Sequence, residues 1–321
     1  MALSQMQVFN QYVMPATIET LAQRIALFNE ASAGAIQLST EGFDGDFYQR
    51  SFFAGLHSAQ RRVDRYGANS PVSPVNLSQE KEVAVKVAGG FGPILFEPSQ
   101  LTWLNKPTAE GIEVMSSNFA EALLRDQLNS AIAALVAATG ANSDANFAPS
   151  DTDFGYGVIN GAHALFGDRS LELVANVMSG AAYHALIAQN LANQNRLFTS
   201  QGVTVVDILG KVAVVTDAPA LVTATSYRAL GLTSGAAIVH DAGDVISNIE
   251  TKNGNSRIET TMQVDYSFGL RLKGYAWDTT NGGRSPSDAA LATGANWNQV
   301  STSVKHTAGV LATGDIPGSG D

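Results

Sequence analysis

The chain has 321 residues, of which 45% are hydrophobic and only 15% charged, with a formal net charge of -10 and no cysteine. That length supports two domains or one large domain with extensions. The missing thiols exclude disulfides, thiolate metal sites and cysteine nucleophiles, and the acidic balance excludes a protein that grips nucleic acid by neutralising phosphates. The charge fraction lies well under the ~25% of an ordinary soluble domain, which predicts a surface covered by other subunits. No basic stretch followed by an unbroken apolar run opens the sequence, so no signal peptide is read there, and no apolar run approaches the ~18 residues of a membrane span.

After Pro15, Ile18, Leu21, Ile25 and Phe28 recur at helical spacing and predict a short amphipathic helix from Thr17 to Ser32, an arm ahead of Gly34. A second helix is expected from about Asp46 to Val63, with Arg61 and Arg62 at its C-terminus, where cations are favoured. From Tyr66 to Gln100, four prolines (Pro71, Pro74, Pro93, Pro98) accompany an alternation of Val83, Val85 and Val87, predicting an extended edge hairpin. A loop of that length implies function or partner contact, so its removal (66–100) is expected to leave a folded subunit that cannot assemble.

The clearest helix is expected to start at Asn118, capped with the help of Glu121. It carries Leu124, Leu128, Ile132 and Leu135 as a stripe and stops at Gly140, a strut on the order of 33 Å long. Further on, helices are expected near Gly157 to Phe166, Ser170 to Met178 and Ala181 to Leu191, and strands at Val203 to Leu209, Val212 to Thr216 and Ala236 to His240. Val264, Tyr266, Phe268, Leu270 and Leu272 then alternate strictly with Asp265, Ser267, Gly269, Arg271 and Lys273, the pattern of a half-buried strand. After Gly274 the alternation stops, and the remainder reads as surface. Together these elements predict an α+β fold with one α+β domain inserted into another.

No chemistry-bearing motif is complete. Gly155, Gly157 and Gly161 approximate a dinucleotide fingerprint, but the last spacing is one residue too long and no buried strand precedes it, so a helix entry is the better reading. Asp144, Asp151 and Asp153 lack the further ligands of a calcium loop. The five histidines (His57, His163, His184, His240, His306) form no metal-binding spacing, and Gly231 to Gly235 puts its serine one place off a nucleophile elbow. No enzyme activity and no cofactor are expected. The densest charge is Arg61, Arg62 and Arg65 with Asp64 among them, which reads either as a solvated helix terminus or as an intersubunit ion-pairing cluster.

The segments DFYQRSFFAGLHSAQRRVDRYG, EVAVKVAGGFGPILFEPSQLTW, ALFGDRSLELVANVMSG, NQNRLFTSQGV, GKVAVVTDAPAL, YRALGLTSGAAIV and FGLRLKGYAWD…SPSDAALATGANW, in that order, resemble the gp13-like major capsid proteins of tailed bacteriophages over about residues 40–312. One departure is Asn176 before Val177 and Met178, where the group commonly carries an aromatic residue. The resemblance implies the Hong Kong 97-type coat fold. It implies an N-terminal arm at 1–38, a helical segment of the peripheral region at 39–61, an extended loop at 62–100 and a peripheral domain with the long spine helix at 101–150. An axial domain at 151–258 and a return strand with the C-terminal segment at 259–321 complete the scheme.

It further implies pentamers and hexamers of identical subunits forming an icosahedral head, built in the host bacterial cytoplasm, with no membrane involved. Packaged double-stranded DNA would be enclosed without strong specific binding. A portal is implied and a decoration or cement protein is a possible addition; with no scaffold-like extension at the N-terminus a separate scaffolding protein is expected, and with no catalytic set recognised, noncovalent interlocking. Candidate intersubunit contacts are Arg61, Arg62, Asp64, Arg65 and Lys86, while Gly140, Gly274 and Trp277 mark turns or strands. An encapsulin-type shell around cargo enzyme is the alternative within the same fold.

Overall fold

The computed structural model describes residues 29–43, 45–53, 60–69, 71–77, 79–96, 109–192, 207–254 and 256–318. Most of the expected N-terminal helix and arm therefore lies outside the described residues, as do 54–59, 97–108 and most of the strand expected from Val203. Residues 29–31 are helical and lead into the first strand.

One sheet has five strands: β1 (Ile36–Gly42), β2 (Phe47–Phe53), β3 (Gln79–Phe96), β9 (Ala237–Lys252) and β10 (Glu259–Leu272), in the order β1-β9-β10-β3-β2. β1 runs parallel to β9, and the other pairings are antiparallel. The alternation seen in the sequence is the burial pattern of β10: Val264, Tyr266, Phe268, Leu270 and Leu272 are buried, while Gln263 and Asp265 are exposed. Gly269 is the exception on the opposite face, where the Phe43 ring lies so close that no Cβ would fit.

The other large sheet has six strands, β4 (Asn146–Phe147), β13 (Gly309–Asp315), β8 (Ser226–Thr233), β5 (Leu173–Met178), β7 (Lys211–Val215) and β6 (Asp207–Ile208), neighbours in that order. Between the sheets runs α1 (Ala109–Ala141), 33 residues and so about 50 Å long. Its C-terminal half is buried nearly all round: Ala131, Ile132, Leu135, Val136 and Ala138 pack with Val85, Val239 and Phe268 on one side and with Val177, Leu230 and Leu311 on the other. Such a helix is core rather than surface strut. On the far face of the six-stranded sheet, α2 (Tyr156–Ala164) and α3 (Gly180–Ala192) cover Leu173, Met178, Ala229, Val310 and Ala312. Neighbouring residues of one strand thus serve different layers: Val310 and Ala312 face α2 and α3 while Leu311 faces α1.

Several expectations are corrected. The segment expected to be helical from Asp46 to Val63 contains β2, the wider helical reading of 39–61 also takes in the end of β1, and residues 60–66 have no helix. Aromatic-rich FYQRSFF suits a strand, and β2 is held by its pairing with β3 and by Phe47, which packs against the core. Ser170 to Met178 is not a helix but a 3-10 turn (Gly167–Glu172) followed by β5, whose two buried faces leave no alternation to read. α1 starts at Ala109, nine residues before Asn118, which is an exposed interior position rather than a cap. β3 is a strand between β10 and β2, not part of a dispensable loop, so only 60–77 lacks regular structure in that region among the described residues.

The stretch after Gly274 is not surface either. β11 (Tyr275–Trp277) pairs with β12 (Trp297–Gln299), the short helix α4 (Asp288–Leu291) packs beside them, and β13 enters the six-stranded sheet. The sheet centred between 151 and 258 therefore takes a strand from the C-terminus, while β9 leaves that stretch for the five-stranded sheet.

Candidate assembly surface

The two sheets and α1 bury their apolar faces against one another, and one stretch stands apart from that core. Every described residue between 60 and 77 is exposed, including Val63, Tyr66 (92% exposed), Val72, Val75 and Leu77. Five large apolar side chains on one irregular segment, interrupted by Pro71 and Pro74, are what a surface looks like when its partner is another molecule. Arg61, Arg62, Asp64 and Arg65 stand at the start of this segment, free of any helix terminus. The Asp64 carboxylate accepts the backbone N–H of Tyr66 (2.9 Å), and the Arg65 guanidinium lies 5.9 Å from the centre of the Tyr66 ring. These contacts shape a local turn and leave the arginines facing solvent.

Lys86 is differently placed. It sits on β3 and donates to the Asp244 carboxylate of β9 across the sheet, and Ser267 donates to the same carboxylate (3.0 Å). The Lys86 bond, with the Ser267 bond beside it, holds Asp244 below the usual carboxylate range. The Lys86 ammonium is thus engaged within its own chain.

The three marker residues have structural work. Gly140 does not end α1, which continues to Ala141; its carbonyl accepts from the Asn146 side chain (3.1 Å) as the chain turns into β4. Gly274 has φ 77°, a left-handed conformation that favours glycine, and a Cβ there would lie 2.9 Å from Thr307. Its N–H donates to Glu82 (2.7 Å), tying the end of β10 to β3. Trp277 is buried against Trp297 with ring centres 4.8 Å apart, and the two indole N–H groups donate to the carbonyls of Gly283 and Leu291.

The histidines and the glycine cluster serve the fold. Gly155 is the N-cap position of α2, as a helix entry requires. His163 of α2 reaches across to β5, where its Nε2 bonds the side-chain oxygen of buried Asn176 (2.8 Å). Asn176 and His163 therefore form a polar pair buried between α2 and β5. Among the described residues, no cluster of three His, Asp or Glu side chains is arranged to hold a metal ion, and no helix is long and apolar enough to cross a membrane.

A tightly packed α+β chain with an unpartnered apolar strap is the form of an assembling subunit, and the family comparison agrees with it. A model of Gp13-like proteins, described as major capsid protein 13-like, matches residues 5–311. The chain belongs to this family of major capsid proteins. No curated protein sequence matches it. Among solved structures it is similar to the capsid asymmetric unit of cyanophage Pam1 (TM-score 0.52, 13% identity), and to structures from Mycobacterium phages Bobi (0.51, 15%) and Cain (0.52, 13%). Each of these comparisons covers 89% of both chains. At such identities the likeness is one of fold: a mixed α+β architecture similar to phage capsid structures. The coat protein is a structural component of a phage virion, and the family match decides for a phage coat over an encapsulin-type shell.

Neither the exposed apolar residues of 60–77 nor the half-buried Tyr266–Asp126 bond (2.6 Å) stood out in the sequence as such. For 60–77, the available signal was apolar residues without any helical or strand period, spaced between prolines. For Tyr266 there was none, because Asp126 lies 140 residues away.

Proposed function

We propose that the coat protein assembles, as identical subunits in pentamers and hexamers, into the icosahedral head of a tailed bacteriophage around double-stranded DNA. The exposed strap at 60–77 carries this reading. It buries nothing on its own subunit, so its apolar side chains gain only by lying on a neighbour. In the Hong Kong 97-type scheme it is the tip of the extended loop rooted on β2 and β3, α1 is the spine helix, and the six-stranded sheet with α2 and α3 is the axial domain. The arm of that scheme, expected at 1–38, falls mostly outside the described residues, and its last residues, Ile36 to Leu38, belong to β1. Arg61, Arg62, Asp64 and Arg65 at the root of the strap ion-pair with adjacent subunits; Lys86, already engaged, has the lesser part.

A portal and a separate scaffolding protein act with it during assembly in the host cytoplasm, and a cement protein is compatible with the same surface. A net charge of -10 suits a wall that encloses DNA without binding it strongly. Electron microscopy and sedimentation of the protein, expressed with its scaffold, provide the test. Closed icosahedral particles or five- and six-fold rings are expected; a homogeneous monomer or dimer under all such conditions overturns the reading.

A further inference from the structure

On the face of the five-stranded sheet opposite Leu270 and Leu272, Arg50 of β2, Glu82 of β3 and Arg271 of β10 line a cleft of about 480 Å³. Lys273, Ser301 and His306 line it as well. Three cations share this space with one carboxylate, in a chain whose overall balance is acidic. Their partners within the chain are few. Among the described residues, the ion pairs join Lys86 to Asp244, Arg169 to Glu172 and Lys305 to Asp168, and none includes Arg50, Arg271 or Lys273. The Arg271 Nε is buried without a hydrogen-bond partner. Glu82 has one oxygen committed to the Gly274 N–H (2.7 Å), and His306 Nδ1 accepts from Arg169 (2.7 Å). Lys273 donates to the Thr233 hydroxyl (3.1 Å) and the Ser234 carbonyl (3.4 Å), neither of which carries charge.

We propose that this cleft seats a carboxylate side chain from a second copy of the coat protein. Clustered cations with an unsatisfied guanidinium donor repel one another until an anion enters, and a planar guanidinium offers a carboxylate two parallel bonds. Copies that each carry a net charge of -10 also repel, so a locally positive recess is where one copy can hold an acidic group of another and set their register. A recessed cleft rather than a stripe of cations argues against a DNA strand as occupant, since backbone tracking needs charges spread along a groove.

The inference rests on the coat reading, and its test separates the two. Particles are assembled from a mixture of 14N- and 15N-labelled full-length protein, treated with a zero-length carbodiimide, and digested for mass spectrometry. The expected product is an amide joining Lys273 to an Asp or Glu with the two labels mixed, hence between copies. Burial holds the Lys273 amine below its ordinary pKa, with the carboxylates of Glu172 and Glu82 partly opposing it. Arg271→Gln with Lys273→Gln, shown to be folded by circular dichroism, is expected to need at least about tenfold more protein to assemble.

Particles in which Lys273 couples only within its own chain, or not at all, overturn the proposal and leave the coat reading standing. So does a double variant that assembles at wild-type concentrations. Failure of the wild-type protein to assemble removes both readings.

Discussion

Tyr266 is a half-surface residue type made into core. Its ring lies over Gly89, where a Cβ would approach within 2.7 Å, and beside Phe91 at 5.3 Å between ring centres, while its hydroxyl donates to Asp126 of α1. Burial, with the Asp126 carboxylate adding to it, pushes the phenol well above its ordinary pKa, so the hydroxyl remains a donor across the accessible pH range. Tyr266→Phe is expected to cost about 1–3 kcal/mol by leaving the carboxylate without its donor. Urea unfolding of the purified protein measures it, and a loss within error would mean that water replaces the bond.

His163 gives the second residue-scale prediction. Burial lowers its pKa from the ordinary 6.5, partly opposed by the bond to Asn176. The unfolded chain takes up this proton near 6.5 and the folded chain only at lower pH, so between those values the unfolded state holds more protons. The neutral histidine's contribution is complete above the unfolded pKa and declines as pH falls toward the folded one, by at most about 1.4 kcal/mol per pH unit. His163→Gln is expected to flatten that part of the profile. Denaturation at pH 7.5 and pH 5 of both proteins provides the comparison.

Among the elements, β11 and β12 show how a Gly-rich stretch can be core. Trp277 and Trp297 form an edge-to-face pair whose indole N–H groups donate to the carbonyls of Gly283 and Leu291, so side chains pin the connection between them, which includes α4. Trp277→Ala is expected to cost about 3–5 kcal/mol and to abolish the near-ultraviolet dichroism of the pair. β13 and β8 show the converse problem. Gly309 to Ala312 and Ala229 to Leu232 are nearly continuous apolar runs because each strand has α1 on one face and α2 or α3 on the other. Period-two alternation is the signature of one wet face, and these strands have none.

At the scale of the molecule, the strap at 60–77 contributes exposure and no core. Replacing 61–77 with a short Gly/Ser linker is expected to leave circular dichroism and thermal stability nearly unchanged while abolishing closed particles, as read by sedimentation. Normal particles from that variant would falsify the role assigned to the strap. A wider cut that includes 79–96 removes β3 from between β10 and β2, and its expected outcome is an unfolded chain rather than an assembly defect.

Whatever depends on local pattern and on the order of segments was legible along the chain. The alternation of β10, the stripe of α1, the helix entry at Gly155 and the low charge fraction are each properties of a few neighbouring residues or of the whole composition. The ordered segments were enough to identify the family. Tertiary structure alone decided what depends on partners distant in the chain. It made Phe47–Phe53 a strand, because β3 supplies its hydrogen bonds; it turned the residues after Gly274 into core, because the far side of α1 and the six-stranded sheet needed covering. It also brought Arg50, Arg271 and Lys273 to one cleft. Backbone pairing and charge proximity are set by distances across the fold, and no spacing along the chain encodes them.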